Sequence, residues 1–95
     1  MNTKNKLQLL KTSWELHNQV EEAYLNHKAT MVDSDWLEKQ RFLLADMALH
    51  LLQTSIKPGD IELNRLSDNL HAILTISNKF LPQKGLIETT EKLYQ

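Results

Sequence analysis

"KPGDIELNRLSDNLHAILTISNKF", residues 57–80, contains the clearest helix boundary of the chain. Pro58 and Gly59 end a preceding helix, because proline lacks an amide hydrogen and glycine readily adopts a left-handed conformation. Asp60 can then cap the next helix by accepting a hydrogen bond from a free amide. From Ile61 to Phe80 the core-facing positions recur at alternating intervals of three and four, which is typical of a helix that packs along an antiparallel neighbour. The stretch therefore predicts a turn followed by one long helix.

The residues before this turn predict two more long helices. Residues 5–30 carry an apolar stripe at helical spacing that covers more than half of the circumference. Its members are Leu9, Leu16, Val20, Ala23 and His27, widened by Leu7, Leu10, Trp14, His17, Tyr24 and Leu25. Residues 36–54 are apolar almost all round, so we expect this helix in the middle of the fold. At its start, Asp35 with Glu38 has the pattern of a capping box, and Asp33 offers a competing cap.

The residues after the turn complete the fold. Pro82 stops the third helix, and residues 83–95 predict a short amphipathic fourth helix in which Leu86 and Leu93 share one face. The predicted fold class is all-α, an antiparallel four-helix bundle with three longer helices and a short C-terminal helix. A chain of 95 residues suits a single helical-bundle domain over residues 1–95.

Composition excludes several classes of function. The chain has 11 basic and 12 acidic residues, a formal net charge of -1, which lacks the basic surplus that nucleic-acid binding needs. It has no cysteine, which excludes disulfides, thiol nucleophiles and thiolate zinc sites. No run of about eighteen apolar residues and no signal-peptide pattern occurs, so we expect no transmembrane segment and a cytoplasmic protein.

Three pairs of residues have the spacing of a two-ligand metal site. His17 with Glu21, and Asp46 with His50, are four positions apart, and Asp68 with His71 is three apart. The pattern adds no third ligand to any pair, so we expect ordinary surface pairs and no metal. The chain also lacks a glycine-rich phosphate loop and a nucleophile elbow. We therefore expect a non-enzymatic protein without a cofactor.

Arg65 and His71 raise the question of a catalytic pair, because small all-helical ribonucleases use an arginine and a histidine. On a helix these two positions lie about 120° apart, on opposite sides of the packing seam. The polar residue that usually follows the arginine is replaced by Leu66. The structural interpretation is that Arg65 pairs with Glu62 or Asp68 and that His71 is half exposed.

The stretch "PGDIELNRLSDNLHAILTISNKF", residues 58–80, resembles the second half of the immunity proteins for pediocin-like bacteriocins. The residues that carry the resemblance are the turn at Pro58 and Gly59, the run Leu63, Asn64, Arg65 and Leu66, and the closing Asn78 and Lys79. The similarity extends over Ile56–Tyr94. Chain length, a lysine-bearing polar start, the absence of cysteine and four antiparallel helices also agree with this family.

The resemblance implies a cytoplasmic protein of lactic-acid-type bacteria that protects the bacteriocin producer. It would engage the mannose phosphotransferase permease with bound bacteriocin, and its carboxy-terminal half would set which bacteriocin is resisted. The candidate partner-binding residues are the polar, basic and aromatic ones around the last helix: His71, Lys79, Lys84, Lys92 and Tyr94. The alternatives are a small cytosolic adaptor, a secretion chaperone or phage-type inhibitor, and a helical ribonuclease or its antitoxin. The sequence leaves the oligomeric state open.

Overall fold

The computed structural model of the chain describes residues 2–29 and 34–94, which form four α-helices and no strand. The helices are α1 (Thr3–Asn26), α2 (Trp36–Ile56), α3 (Leu63–Ser77) and α4 (Leu86–Lys92). The predicted all-α fold with three longer helices and a short C-terminal one is therefore confirmed.

The predicted caps are confirmed only in part, although the helices begin close to the predicted positions. α2 begins at Trp36 with Asp35 at the N-cap, as predicted, but the Asp35 side chain makes no capping hydrogen bond. The competing cap, Asp33, lies outside the described residues. Glu62 and not Asp60 occupies the N-cap of α3. The Glu62 carboxylate instead forms ion pairs with Lys57 and Arg65. The distance from Lys57 Nζ to Glu62 Oε1 is 2.7 Å.

Glycine sets the geometry of both turns that flank α3. Gly59 has φ +93° in the turn before α3, and Gly85 has φ +67° at the N-cap of α4. Both values lie in the left-handed region that glycine adopts without a Cβ clash. α3 ends at Ser77, five residues before Pro82, in a turn closed by the amide of Phe80 donating to the Ser77 carbonyl at 2.9 Å.

Consecutive helices pack antiparallel. Among the described residues, α1 packs on α2, α2 on α3 and α3 on α4, so α2 lies centrally, as predicted. The molecule measures 45 × 35 × 15 Å along its principal axes. Its radius of gyration is 15.0 Å, whereas a compact domain of this length has about 12 Å. The bundle is therefore flattened, and each helix has only one or two neighbours.

The flat arrangement buries polar side chains and leaves much of the apolar stripe exposed. Leu9 and Leu16, which the sequence places in the packing stripe of α1, are 39% and 45% exposed. The buried side of α1 instead contains Ser13 and His17. On α2, Asp46 is buried, although the sequence predicts it in a surface pair with His50. The buried polar residues of the described chain are Ser13, His17, Gln40, Asp46, Gln53, Thr54 and Thr90.

Candidate functional site

Tyr94 and His71, two of the predicted partner-binding residues, lie together on the outer side of α3. The Tyr94 hydroxyl donates a hydrogen bond to Asp68 Oδ1 at 2.8 Å, and its ring meets the His71 ring edge-on with centroids 5.6 Å apart. The hydrogen bond to Asp68 raises the pKa of Tyr94, because ionisation would place a phenolate beside a carboxylate. These contacts hold the end of the chain against the first half of α3.

Lys79 has a structural contact that the sequence did not reveal. Its ammonium donates a hydrogen bond to Gln40 Oε1 at 2.6 Å and lies 5.6 Å from the centre of the Trp36 ring. Gln40 is fully buried. Lys79 therefore ties the end of α3 to the first turns of α2. Sequence spacing could not show this, because the two partners are 39 positions apart.

Lys84 and Lys92 are exposed, and neither forms an ion pair within residues 2–29 and 34–94. Lys84 lies in the connection between α3 and α4, and Lys92 in the last turn of α4. Large apolar residues lie near them in the chain and are exposed: Phe80 by 36%, Leu81 by 48% and Ile87 by 38%. We call the exposed side chains of residues 80–94, together with His71, the α3–α4 surface. It combines apolar and aromatic groups with two lysines and two exposed carboxylates, Glu88 and Glu91.

Arg65 and His71 have separate partners. Arg65 forms an ion pair with Glu62, which confirms one of the two predicted pairings. Together with Lys57, this arginine lowers the pKa of Glu62 by favouring the ionised carboxylate, the hydrogen bond from Lys57 being the larger cause. His71 is exposed and contacts Tyr94. The structure thus gives each residue a local role apart from the other.

A second group of chemically active side chains lies between α1 and α2, formed by His17, Asp46 and His50. His17 Nε2 is 3.1 Å from His50 Nε2 and 3.0 Å from Asp46 Oδ1, and His50 Nε2 is 3.6 Å from Asp46 Oδ2. We call these three residues the histidine–aspartate cluster. Each of the three residues offers a ligand atom, and these atoms lie within 4.8 Å of one another, close enough for a metal ion.

The surroundings of the cluster leave polar atoms without partners. His17 and Asp46 are 9% and 8% exposed. His17 Nδ1 and Asp46 Oδ1 are buried and make no hydrogen bond within the described chain. The 3.0 Å contact of Asp46 with His17 Nε2 is therefore close without being aligned as a hydrogen bond. Glu21 Oε2 lies 3.6 Å from His17 Nδ1, and Trp14 covers both imidazoles edge-on.

A groove of about 650 Å³ adjoins the cluster and is lined by residues of α1, α2 and α3. His50, Trp14 and Arg65 contribute to its walls. The His50 side chain is 33% exposed, whereas those of His17 and Asp46 are each 11% exposed. His50 is therefore the member of the cluster that faces the groove, and His17 and Asp46 lie behind it.

The sequence contains the two halves of this cluster as separate pairs, His17 with Glu21 on α1 and Asp46 with His50 on α2, and predicts both to be surface pairs. The two helices are antiparallel, and their register places His17 opposite Asp46 and His50. The third ligand comes from the other helix, so it depends on the register of α1 against α2. Helical spacing within one segment does not show that register.

Comparison of the chain with models of protein families, with curated proteins and with solved structures found no match. Among the described residues, no helix combines the length and the apolar character needed to cross a membrane.

Proposed function

We propose that the chain is a non-enzymatic protein-binding module that serves as an immunity protein against a pediocin-like bacteriocin. It would act in the cytoplasm and bind the mannose phosphotransferase permease once the bacteriocin has engaged it. The α3–α4 surface is the observation that carries this proposal, together with the resemblance of residues 58–80 to that family.

The composition of the α3–α4 surface suits a partner at a membrane. Phe80, Leu81 and Ile87 are large apolar side chains that a partner can cover. Lys84 and Lys92 lie beside them, and a basic side chain near an anionic lipid surface contributes about 1 kcal/mol to binding. A permease embedded in such a membrane offers both an apolar contact and negative charge to this surface.

The position of α4 suits a role in specificity. Among the described residues, α4 contacts only α3, so changes in its exposed side chains leave the α1–α2 and α2–α3 interfaces intact. Thr90, almost fully buried, and the Tyr94 hydrogen bond to Asp68 hold it in place. Recognition of different bacteriocins can therefore vary here without loss of the fold.

The test is protection of a sensitive strain that expresses the chain and is challenged with a pediocin-like bacteriocin. We expect the wild type to protect, and the double variant Lys84→Glu with Lys92→Glu to protect less, because both positive charges are reversed. Lys11→Glu is the matched control, since Lys11 is an exposed lysine on α1, outside the α3–α4 surface. Circular dichroism shows whether the variants keep their helices. Equal protection by the double variant and the wild type would contradict the site, and no protection by the wild type would contradict the function.

The exposed leucines of α1 favour a second candidate, a small cytosolic adaptor whose partner covers that helix. Leu7, Leu9, Leu16 and Leu25 are 53%, 39%, 45% and 67% exposed. Gene neighbourhood separates the two candidates: a gene for a small peptide with a double-glycine leader supports immunity, and secretion or phage genes support the adaptor.

A further inference from the structure

We propose that the histidine–aspartate cluster binds a divalent metal ion of the zinc class, with His17 and His50 coordinating through Nε2 and Asp46 through its carboxylate. The ion would connect α1 to α2. This proposal is independent of the proposed function, because it rests on a different face of the molecule.

The distances between the ligand atoms fit one small ion. Zinc binds imidazole nitrogen at about 2.0–2.1 Å and carboxylate oxygen at about the same distance, usually with tetrahedral geometry. Two ligand atoms of such an ion are then about 3.3 Å apart. The observed separations are 3.1 Å between the two nitrogens, 3.0 Å from His17 Nε2 to Asp46 Oδ1 and 3.6 Å from His50 Nε2 to Asp46 Oδ2. The three side chains thus place their ligand atoms at separations close to those around one such ion.

The donor types select the class of metal. Two imidazoles with one carboxylate suit zinc and its first-row neighbours, whereas calcium and magnesium prefer all-oxygen sites. The chain has no cysteine, so thiolate cannot compete. Three protein ligands leave one tetrahedral position for solvent. His50 lies on the groove wall, which gives the ion an entry path and places that fourth position within reach of water.

The second layer of contacts also fits a metal site. Histidines that bind a metal through one nitrogen usually donate the other N–H to a carboxylate, which fixes the ring. Here His17 presents Nε2 to the cluster and Nδ1 toward Glu21 Oε2, at 3.6 Å. Glu21 is about half exposed, so a small rotation of its side chain completes the hydrogen bond.

A metal ion would also account for the buried polar atoms of the cluster that have no hydrogen-bond partner within the described chain. His17 Nε2 faces both His50 Nε2 and Asp46 Oδ1, and one proton on that nitrogen cannot serve both acceptors. Asp46 Oδ1 remains without a hydrogen bond in a buried position, which is costly for a carboxylate. The ion pairs of Asp46 within the described chain are with these two histidines alone. A cation at the centre would satisfy all three groups at once.

The experiment is a titration of the purified, metal-free full chain with zinc chloride, followed by calorimetry and by thermal melting. We expect one zinc per chain, a melting temperature that rises with zinc, and reversal by EDTA. His50→Ala removes one ligand and should weaken zinc binding at least tenfold. Glu21→Gln should weaken it about 10–100-fold, the usual effect of losing an outer-layer carboxylate. His27→Ala, a histidine at the C-cap of α1 and outside the cluster, is the matched control and should bind zinc like the wild type.

Circular dichroism of each metal-free variant separates loss of a ligand from loss of the fold. Should His50→Ala unfold, Glu21→Gln decides the question, because Glu21 is half exposed and removing its charge leaves α1 intact. The proposal is overturned if the wild type shows no saturable binding near one equivalent. It is also overturned if folded Glu21→Gln and His50→Ala bind zinc as tightly as His27→Ala, since the ion would then bind elsewhere.

Discussion

The contact between Lys79 and Gln40 gives the sharpest prediction about stability. Lys79 belongs to the partner-binding residues that the sequence suggests, but its ammonium is 2.6 Å from the carbonyl oxygen of a fully buried glutamine. A hydrogen bond to a charged group contributes about 1.5–3 kcal/mol to stability. Because Lys79 is an exposed residue and solvent weakens the interaction, we expect the lower end of that range, about 1.5–2 kcal/mol.

The prediction is tested by a double-mutant cycle in urea denaturation. Lys79→Met keeps the length and apolar stem of the side chain but leaves Gln40 Oε1 buried and without a partner. Gln40→Leu removes the acceptor and keeps its volume. We expect Lys79→Met to lose about 1.5–2 kcal/mol, because it strands the buried Gln40 Oε1. Gln40→Leu should lose less, because it also removes the buried Gln40 Nε2, which has no hydrogen-bond partner among the described residues, and leaves the exposed Lys79 ammonium to water. The double variant should then lose less than the sum of the two.

The cycle also shows how a loss of protection by a Lys79 variant should be interpreted. Lys79→Glu would place a carboxylate against the Gln40 oxygen and destabilise the α2–α3 interface, so it should reduce both stability and protection. Lys84→Glu should reduce protection alone, because Lys84 has no such anchor. A coupling energy near zero between Lys79 and Gln40 would refute this reasoning.

Three further predictions follow from the other contacts. A chain truncated after Gly85 should stay helical by circular dichroism, melt at a lower temperature and no longer protect a sensitive strain, because it lacks α4 and the Tyr94 hydrogen bond; full protection would contradict the role of α4. In an ultraviolet difference titration, Tyr94 should ionise above the ordinary tyrosine pKa, and Asp68→Asn should lower its pKa. The stability from that hydrogen bond is fully present below about pH 10 and is lost as pH rises through the raised pKa. Ile76→Ala should cost about 2–5 kcal/mol in urea denaturation because the side chain is 6% exposed, whereas Leu16→Ala, at 45% exposed, should cost less than about 0.5 kcal/mol.

Helix boundaries were largely predictable because the signals are local. The turn at Pro58 and Gly59 and the start of α2 at Trp36 follow from residues within one turn of the boundary. The caps were not predictable from the same residues. Glu62 is drawn to Lys57 and Arg65, and that competition depends on where the side chains meet after the turn has formed.

The buried face of α1 was not predictable from apolar periodicity. Its apolar stripe is wider than one neighbouring helix can cover, so periodicity limits the choice of face without deciding it. α2 covers the side that contains Ser13 and His17, and Leu9 and Leu16 remain exposed. The histidine–aspartate cluster was missed because the pairs of His17 with Glu21 and of Asp46 with His50 were predicted to lie on the surface, and spacing within one helix does not show which residues face each other across two helices.

The buried polar contacts explain how such a flat molecule keeps one register. Between α2 and α3, the Thr54 hydroxyl donates to Asn69 near the turn, and the Lys79 ammonium donates to Gln40 at the far end. Aliphatic faces alone tolerate sliding by a turn, whereas a slide here would strand buried polar groups at both ends. The histidine–aspartate cluster has the same effect between α1 and α2, and a metal ion bound there would strengthen it.

Because polar contacts fix the register between neighbouring helices, apolar residues remain available for other contacts. Leu16 on α1 and Leu81 before α4 are each nearly half exposed, although aliphatic side chains usually form the interior of a small bundle. In this molecule specific polar pairs lie within the interfaces between helices, and several large apolar side chains face outward. This division of roles suits a protein that recognises a partner through apolar contacts, which is what the proposed immunity function requires of the α3–α4 surface.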